Sequence, residues 1–366
     1  MSLRRSARLG ALQTVKPLLP VSTPDVPRVQ HNGVAKARKS SKPKKTTSTP
    51  KNTTTSTPSY WSPEPSTAET SNQVPTNTRP LTPPPLDRPV DPHRTNAILL
   101  TPHGSSVNAY PRHVEDASPS KTGLPRPTAT TGTLLDKAIA HLIATDPRLQ
   151  LVIDQHPCQL FSPAGLAEQI DPFNSLVSSI IGQQVSGAAA KSIRNKFLSL
   201  FDITGGEGGG ASASRFPTPQ QVAQCDLPTL RTAGLSQRKA EYIQGLAEKF
   251  ASGELSAQML ARASDEELVE KLTAVRGLGK WSVEMFACFA LKRIDVFSTG
   301  DLGVQRGCAA FVGRDVNKLK GKGGGKFKYM SEKDMLELAA KFAPYRSLFM
   351  WYMWRIENVD IAVLTG

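Results

Sequence analysis

Asp301 is the residue through which this chain could do chemistry. It stands in "DVFSTGDLGVQRG", after an apolar approach and three small residues, Ser298, Thr299 and Gly300. A carboxylate presented this way can be a catalytic group. The same position, just ahead of Leu302 and Val304, also suits a helix N-cap, and position alone leaves both readings open. All six histidines precede Leu160, so the later region holds neither a Ser-His-Asp triad nor a His-rich metal centre.

Upstream of the aspartate lies "VRGLGKWS", a helix end at Val275, two glycines flanking Leu278, and a new apolar helix from Lys280. A sharp turn at a helix N-terminus leaves several backbone N–H groups free, a geometry that binds phosphate without side-chain charge. Gly277 and Gly279 permit close approach of a nucleic-acid backbone, with Arg276 and Lys280 adding charge at the rim. An ordinary tight helix connection uses the same residues.

The elements that must position these residues read as helical throughout. "LLDKAIAHLIATDPRLQLVI" has helical spacing with a break at Asp146-Pro147, and "DPFNSLVSSIIGQQVSGAAAK" gives a second pair interrupted at Gly182. Gly234 suits a helix C-terminus and Ser236 an N-cap, while Ser264 with Glu267 forms a capping box. No stretch alternates with period two, so the spacing predicts an all-α domain of roughly ten helices. Flexible loops are expected at about 204–214 and 314–328, the second holding Lys318, Lys320, Lys322, Lys326 and Lys328.

Composition divides the chain. Residues 1–130 hold 21 of the 29 prolines and 18 Lys/Arg against 7 Asp/Glu, a surplus of 11 within the formal +14. Such a segment reads as a disordered basic tail, followed by a folded domain at 131–366. The tail's charge points to a polyanion, nucleic acid before membrane, or to an import signal; a plain solvated linker has the same composition. "KARKSSKPKK" resembles a nuclear import signal, and the acid-free, arginine-bearing start before Asp25 resembles a mitochondrial presequence. No apolar run is long enough to span a bilayer. Cys158, Cys225, Cys288 and Cys308 form no CxxC pair, which fits buried thiols in a reducing compartment.

Taken together, the hairpin, its interval to the aspartate and the aspartate's flanks resemble the helix-hairpin-helix (HhH-GPD) DNA glycosylase superfamily. Within it the chain is similar to the 3-methyladenine-DNA glycosylase II branch. The similarity runs from about Leu134 to Gly366 and includes "FNSLVSSIIGQQVSGAAAK" and "FAPYRSLFMWYMWR". It implies two helical lobes with the active site between them and a hairpin at about 268–291. It also implies a monomeric hydrolase of base excision repair, which flips alkylated purines such as 3-methyladenine or 7-methylguanine from duplex DNA and cleaves the N-glycosidic bond.

The resemblance gives Asp301 the catalytic role. It places Trp281, Met285, Trp351 and Tyr352 around the base, and Gln183, Gln184, Ser186, Arg276, Gly277, Leu278, Gly279 and Lys280 on DNA. Superfamily members that also cut the strand carry a lysine where this chain has Trp281, Lys280 coming one residue earlier, so a monofunctional enzyme is implied. The four-cysteine cluster of some relatives is missing. No cofactor is implied beyond a monovalent cation at the hairpin. Met285 departs from the tyrosine of the bacterial branch, and Gln184 from its leucine wedge, which puts substrate range in doubt. The rival from another class is a helix-hairpin-helix module that binds DNA without chemistry, for which Asp301 would be dispensable.

Overall fold

The structure is a computed structural model that describes residues 85–111, 114–201, 216–321, 325 and 327–356. Both expected import signals and the 204–214 loop lie outside these residues. Sixteen α-helices are present among the described residues, more than the roughly ten read from the sequence, because six of them are only four to six residues long.

Local signals account for most boundaries. Asp171 accepts from the Phe173 and Asn174 amides to start Pro172–Gly182, and Ser236 caps Gln237–Ala251. Ser264 and Glu267 close a reciprocal capping box on Asp265–Thr273. Each such cap satisfies amides that would otherwise lack partners, an effect of about 1 kcal/mol.

Two hydrophobic cores result. One gathers Leu134–Thr145, Leu149–Gln155, Leu302–Phe311, Glu332–Ala340 and Arg346–Met353 around Phe161, Phe311, Phe342 and Phe349. The other gathers Pro172–Gly182, Gln237–Ala251 and Asp265–Thr273 around Phe173, Phe197, Ile243 and Leu272. Helix Lys280–Phe289 belongs to both, giving Met285 and Cys288 to the first core and Val283, Phe286 and Ala287 to the second. Its N-terminal end therefore lies on the seam between the lobes.

The expected tail boundary at 130 does not hold, because residues from 85 onward belong to the fold. Val90, Ala97 and Leu99 are fully buried, and Leu99 joins the second core. Pro89–Val90 pairs antiparallel with Ala129–Thr130, while Ile98–Leu100 pairs antiparallel with Ser106–Val107 and parallel with Gln169–Ile170. Arg88, counted with the solvated charge of the tail, is buried and donates to the carbonyls of Asn96 and Leu166. Strands of two or three residues are too short to show a period, and their partners lie far away in the chain.

The expected lysine loop also differs, because Val316–Gly321 is helical and Asp315 accepts from the Lys318 amide. Among the described residues no helix is long and apolar enough to cross a membrane, and no group of His, Cys, Asp and Glu could hold a metal ion.

Candidate active site

The hairpin forms where Asp265–Thr273 ends and Lys280–Phe289 begins. Gly277 has φ +94°, and a Cβ there would collide with the Tyr242 ring, so both backbone conformation and space require glycine. Gly279 is the N-cap of the second helix and offers no side chain to its first amides. Those amides stand at the positive end of the helix, beside the exposed Arg276 and Lys280. Leu278, expected on DNA, instead turns into the second core and is 4% exposed, because the middle residue of this turn faces back between the two helices. We expect Gly277→Ala to fold and to bind duplex DNA about tenfold more weakly, from the strain of φ > 0 and the displaced turn. Fluorescence anisotropy with a labelled duplex measures it.

A second loop is tied to the hairpin. The Gln183 side-chain amide donates to the Gly277 carbonyl at 2.9 Å, and Lys239 Nζ donates to the carbonyls of Ile181 and Gln183 at 2.8 and 2.7 Å. Burial pushes the Lys239 ammonium below its ordinary pKa. Gln184 follows in the left-handed region at φ 55° with its side chain exposed, held out beyond this braced base. Ser186 is engaged as the N-cap of Gly187–Ser199, accepting from the Ala189 amide at 3.3 Å.

Asp301 is a helix cap whose carboxylate also takes donors from outside its own helix. Oδ1 accepts from the Val304 amide at 2.9 Å and caps Leu302–Phe311. Oδ1 also accepts from Trp354 Nε1 and Oδ2 from Trp281 Nε1, each at 2.8 Å. Three donors from three elements thus fix the carboxylate where the lobes meet. Trp354 stacks on Phe289, with centroids 5.4 Å apart and planes at 23°, so the indole is backed by the hairpin helix.

Trp354 was not foreseen, and Trp351, Tyr352 and Met285 fall elsewhere than expected. All three are buried in the first core. Arg355 covers the Trp351 ring, and Tyr352 packs edge-on against Trp351. The phase of Arg346–Met353 explains this. Ser347 bonds the carbonyls of Arg293 and Val296, Met350 Sδ accepts from the Ser298 amide, and Trp354 reaches Asp301. Residues 347, 350 and 354 therefore form the stripe that faces the aspartate loop, and the i, i+3, i+7 spacing from Ser347 was the available signal.

Lys280 and Glu284 complete the surroundings. Lys280 is exposed, with its ammonium 3.8 Å from Glu284. Burial first, then repulsion from Asp301 and Glu332, pushes the Glu284 carboxyl above its ordinary range against the opposing effects of Ser298 and Lys280. A raised folded pKa means that the stability contributed by protonated Glu284 is present below the ordinary value and is lost as pH rises through the raised one. Glu284→Gln is therefore expected to melt higher than the unaltered protein near neutral pH, the two converging below about pH 4. Thermal melts across pH measure the crossover.

Residues 177–322 match the model of the HhH-GPD superfamily base excision DNA repair protein. DNA-3-methyladenine glycosylase 1 of Schizosaccharomyces pombe is 30% identical over 62% of this chain and 90% of its own length. DNA-3-methyladenine glycosylase of Saccharomyces cerevisiae is 32% identical over 61% of this chain and 80% of its own length. The crystal structure of DNA-3-methyladenine glycosidase from Bacillus halodurans is 34% identical, with a TM-score of 0.46 over 60% of this chain and 88% of that one. Extended nearly end to end along the yeast enzymes, with the hairpin and aspartate loop inside the matched model, the chain belongs to the HhH-GPD superfamily of base excision DNA repair proteins, among the DNA-3-methyladenine glycosylases.

Proposed function

We propose that this DNA glycosylase of base excision repair is monofunctional, releases alkylated purines from duplex DNA by direct hydrolysis, and uses Asp301 as its catalytic carboxylate. The observation that carries this reading is the convergence of the Trp281 and Trp354 indole N–H groups on Asp301, with the nearby lysine turned to Glu284 instead. The hairpin amides and the rim charges Arg276 and Lys280 hold the phosphate backbone, and the exposed Gln184 fills the gap left by the extruded nucleotide. The protein acts as a monomer in this reading.

Purines alkylated at N3 or N7 carry positive charge. Indole faces attract such rings by stacking and cation–π interaction worth roughly 0.5–2 kcal/mol, and Trp281 and Trp354 supply the faces. Scission sends the bonding electron pair to the departing base and leaves an oxocarbenium-like sugar. The Asp301 carboxylate faces that cation and accepts a hydrogen bond from the incoming water. The water's oxygen bonds to the anomeric carbon and its proton passes to the Asp301 carboxylate, giving an abasic sugar. No amine of the chain enters the bond changes, so no Schiff base forms.

The test is incubation of a methylated duplex with the full chain. Base should be released, strands should break only after heat or alkali, and borohydride should trap no covalent complex. Strand breaks without alkali together with a trapped complex would show a lyase acting through Lys280.

A further inference from the structure

We propose that Glu284 is a positioning residue, holding the Asp301 loop against the hairpin helix through Ser298. The inference rests on the glycosylase reading of Asp301 and deepens it. Glu284 lies three residues after Trp281 on Lys280–Phe289, so the two side chains leave the same side of that helix. Its Oε2 accepts a 2.6 Å hydrogen bond from Ser298 Oγ, and Ser298 lies three residues before Asp301. Two clamps therefore join one helix to one loop: Trp281 to Asp301, and Glu284 to Ser298.

Further contacts tie the loop to other elements. The Ser298 amide donates to Met350 Sδ at 3.3 Å, Thr299 Oγ1 donates to Glu332 at 2.8 Å, and the Thr299 carbonyl accepts from Gln305 Nε2 at 3.1 Å. None of these reaches the hairpin helix. Without Glu284, the helix that grips DNA and the loop that carries the carboxylate would keep the Trp281 hydrogen bond and the Trp354 indole stacked on Phe289, but lose the direct tie at Ser298.

The choice of residue also points to a role. Ser298 bonds Glu284, Lys280 stands 3.8 Å away, and Asp301 and Glu332 act on it through their charge, so Lys280 is the cation of this group. Lys280 is 71% exposed and Glu284 12%, so the counter-ion stands largely in water while the carboxylate does not. An acid in that setting is unfavourable for packing, since burial and two like charges oppose its ionised form. Its hydrogen bond to a fully buried serine in the aspartate loop gives the placement a use.

Single-turnover base release and duplex affinity are to be measured on the full chain for Glu284→Ala, Ser298→Ala, the double variant, Glu284→Gln and Asp301→Asn. Glu284→Ala and Ser298→Ala are each expected to release base about tenfold more slowly with affinity within about twofold, since a small misplacement costs rate and leaves binding intact. The double variant should be no slower than the slower single, because both remove one bond. Glu284→Gln, which can still accept from Ser298, should recover the rate to within about threefold. An unchanged rate in Glu284→Ala, or losses that multiply in the double variant, overturns the proposal. If Glu284→Ala does not fold, Ser298→Ala with Glu284→Gln decides it by the same criteria. Should Asp301→Asn keep the unaltered rate, the reading of Asp301 fails; should it be inert while Glu284→Ala is unaffected, the positioning role alone fails.

Discussion

Gly303→Ala is expected to give a folded protein that binds damaged duplex normally and releases base about 10²-fold more slowly. Gly303 is the second residue of Leu302–Phe311, where alanine is the better helix former by up to about 1 kcal/mol, so the helix itself gains. The loss comes from space. A Cβ at 303 would lie 2.7 Å from Trp354 Cδ1, 3.1 Å from Trp354 Nε1 and 3.2 Å from Asp301 Oδ1. The indole has little freedom to retreat, because Phe289 backs it and its N–H is spent on Asp301. Either Trp354 moves and releases Oδ1, or the aspartate turns and loses its second donor. Both outcomes shift the carboxylate and one pocket wall together, and reactions that depend on near-attack geometry fall steeply with such shifts. Single-turnover release beside an affinity measurement separates this from a DNA-binding defect. At Gly300, one residue before the aspartate, a Cβ meets nothing within 4 Å, so the demand for glycine at 303 is specific to the indole.

Most of the fold was legible because its signals are local. Ser264 with Glu267, Ser236 and the break at Asp146-Pro147 each fall within one helical turn, and the structure ends or begins helices there. The hairpin glycines and the aspartate were legible only together, through their flanks and the interval between them, since each alone also suits an ordinary turn or cap. What escaped depends on partners distant in sequence. Residues 85–130 look like tail by composition, yet Thr95 and Asn96 bond the carbonyls of Leu260 and Lys292, contacts that no window of sequence displays. Trp351 and Trp354 are both tryptophans at the end of one apolar helix, and only the docking of Ser347 and Met350 on residues 293–298 decides which reaches the carboxylate. Glu284 sits inside an apolar helix, and its meaning comes from Ser298 in a separate loop.

The largest effect is expected at Asp301. Asparagine keeps the size of aspartate and still accepts at N-caps, so the helix Leu302–Phe311 should form as before. It carries no charge, however, and its amide nitrogen would meet one of the indole N–H donors that the carboxylate now satisfies on both oxygens. Loss of electrostatic stabilisation of the sugar cation and loss of the group that orients water each account for about 10²-fold or more, so release at least ~10³-fold slower is expected. The most direct measurement is therefore single-turnover release of methylated purine by the unaltered chain and by Asp301→Asn, with duplex affinity and melting temperature recorded on the same preparations. The account predicts a folded variant with near-normal affinity and almost no release. Release by both proteins at the same rate, or by neither despite equal binding, would contradict it and leave Asp301 as a helix cap.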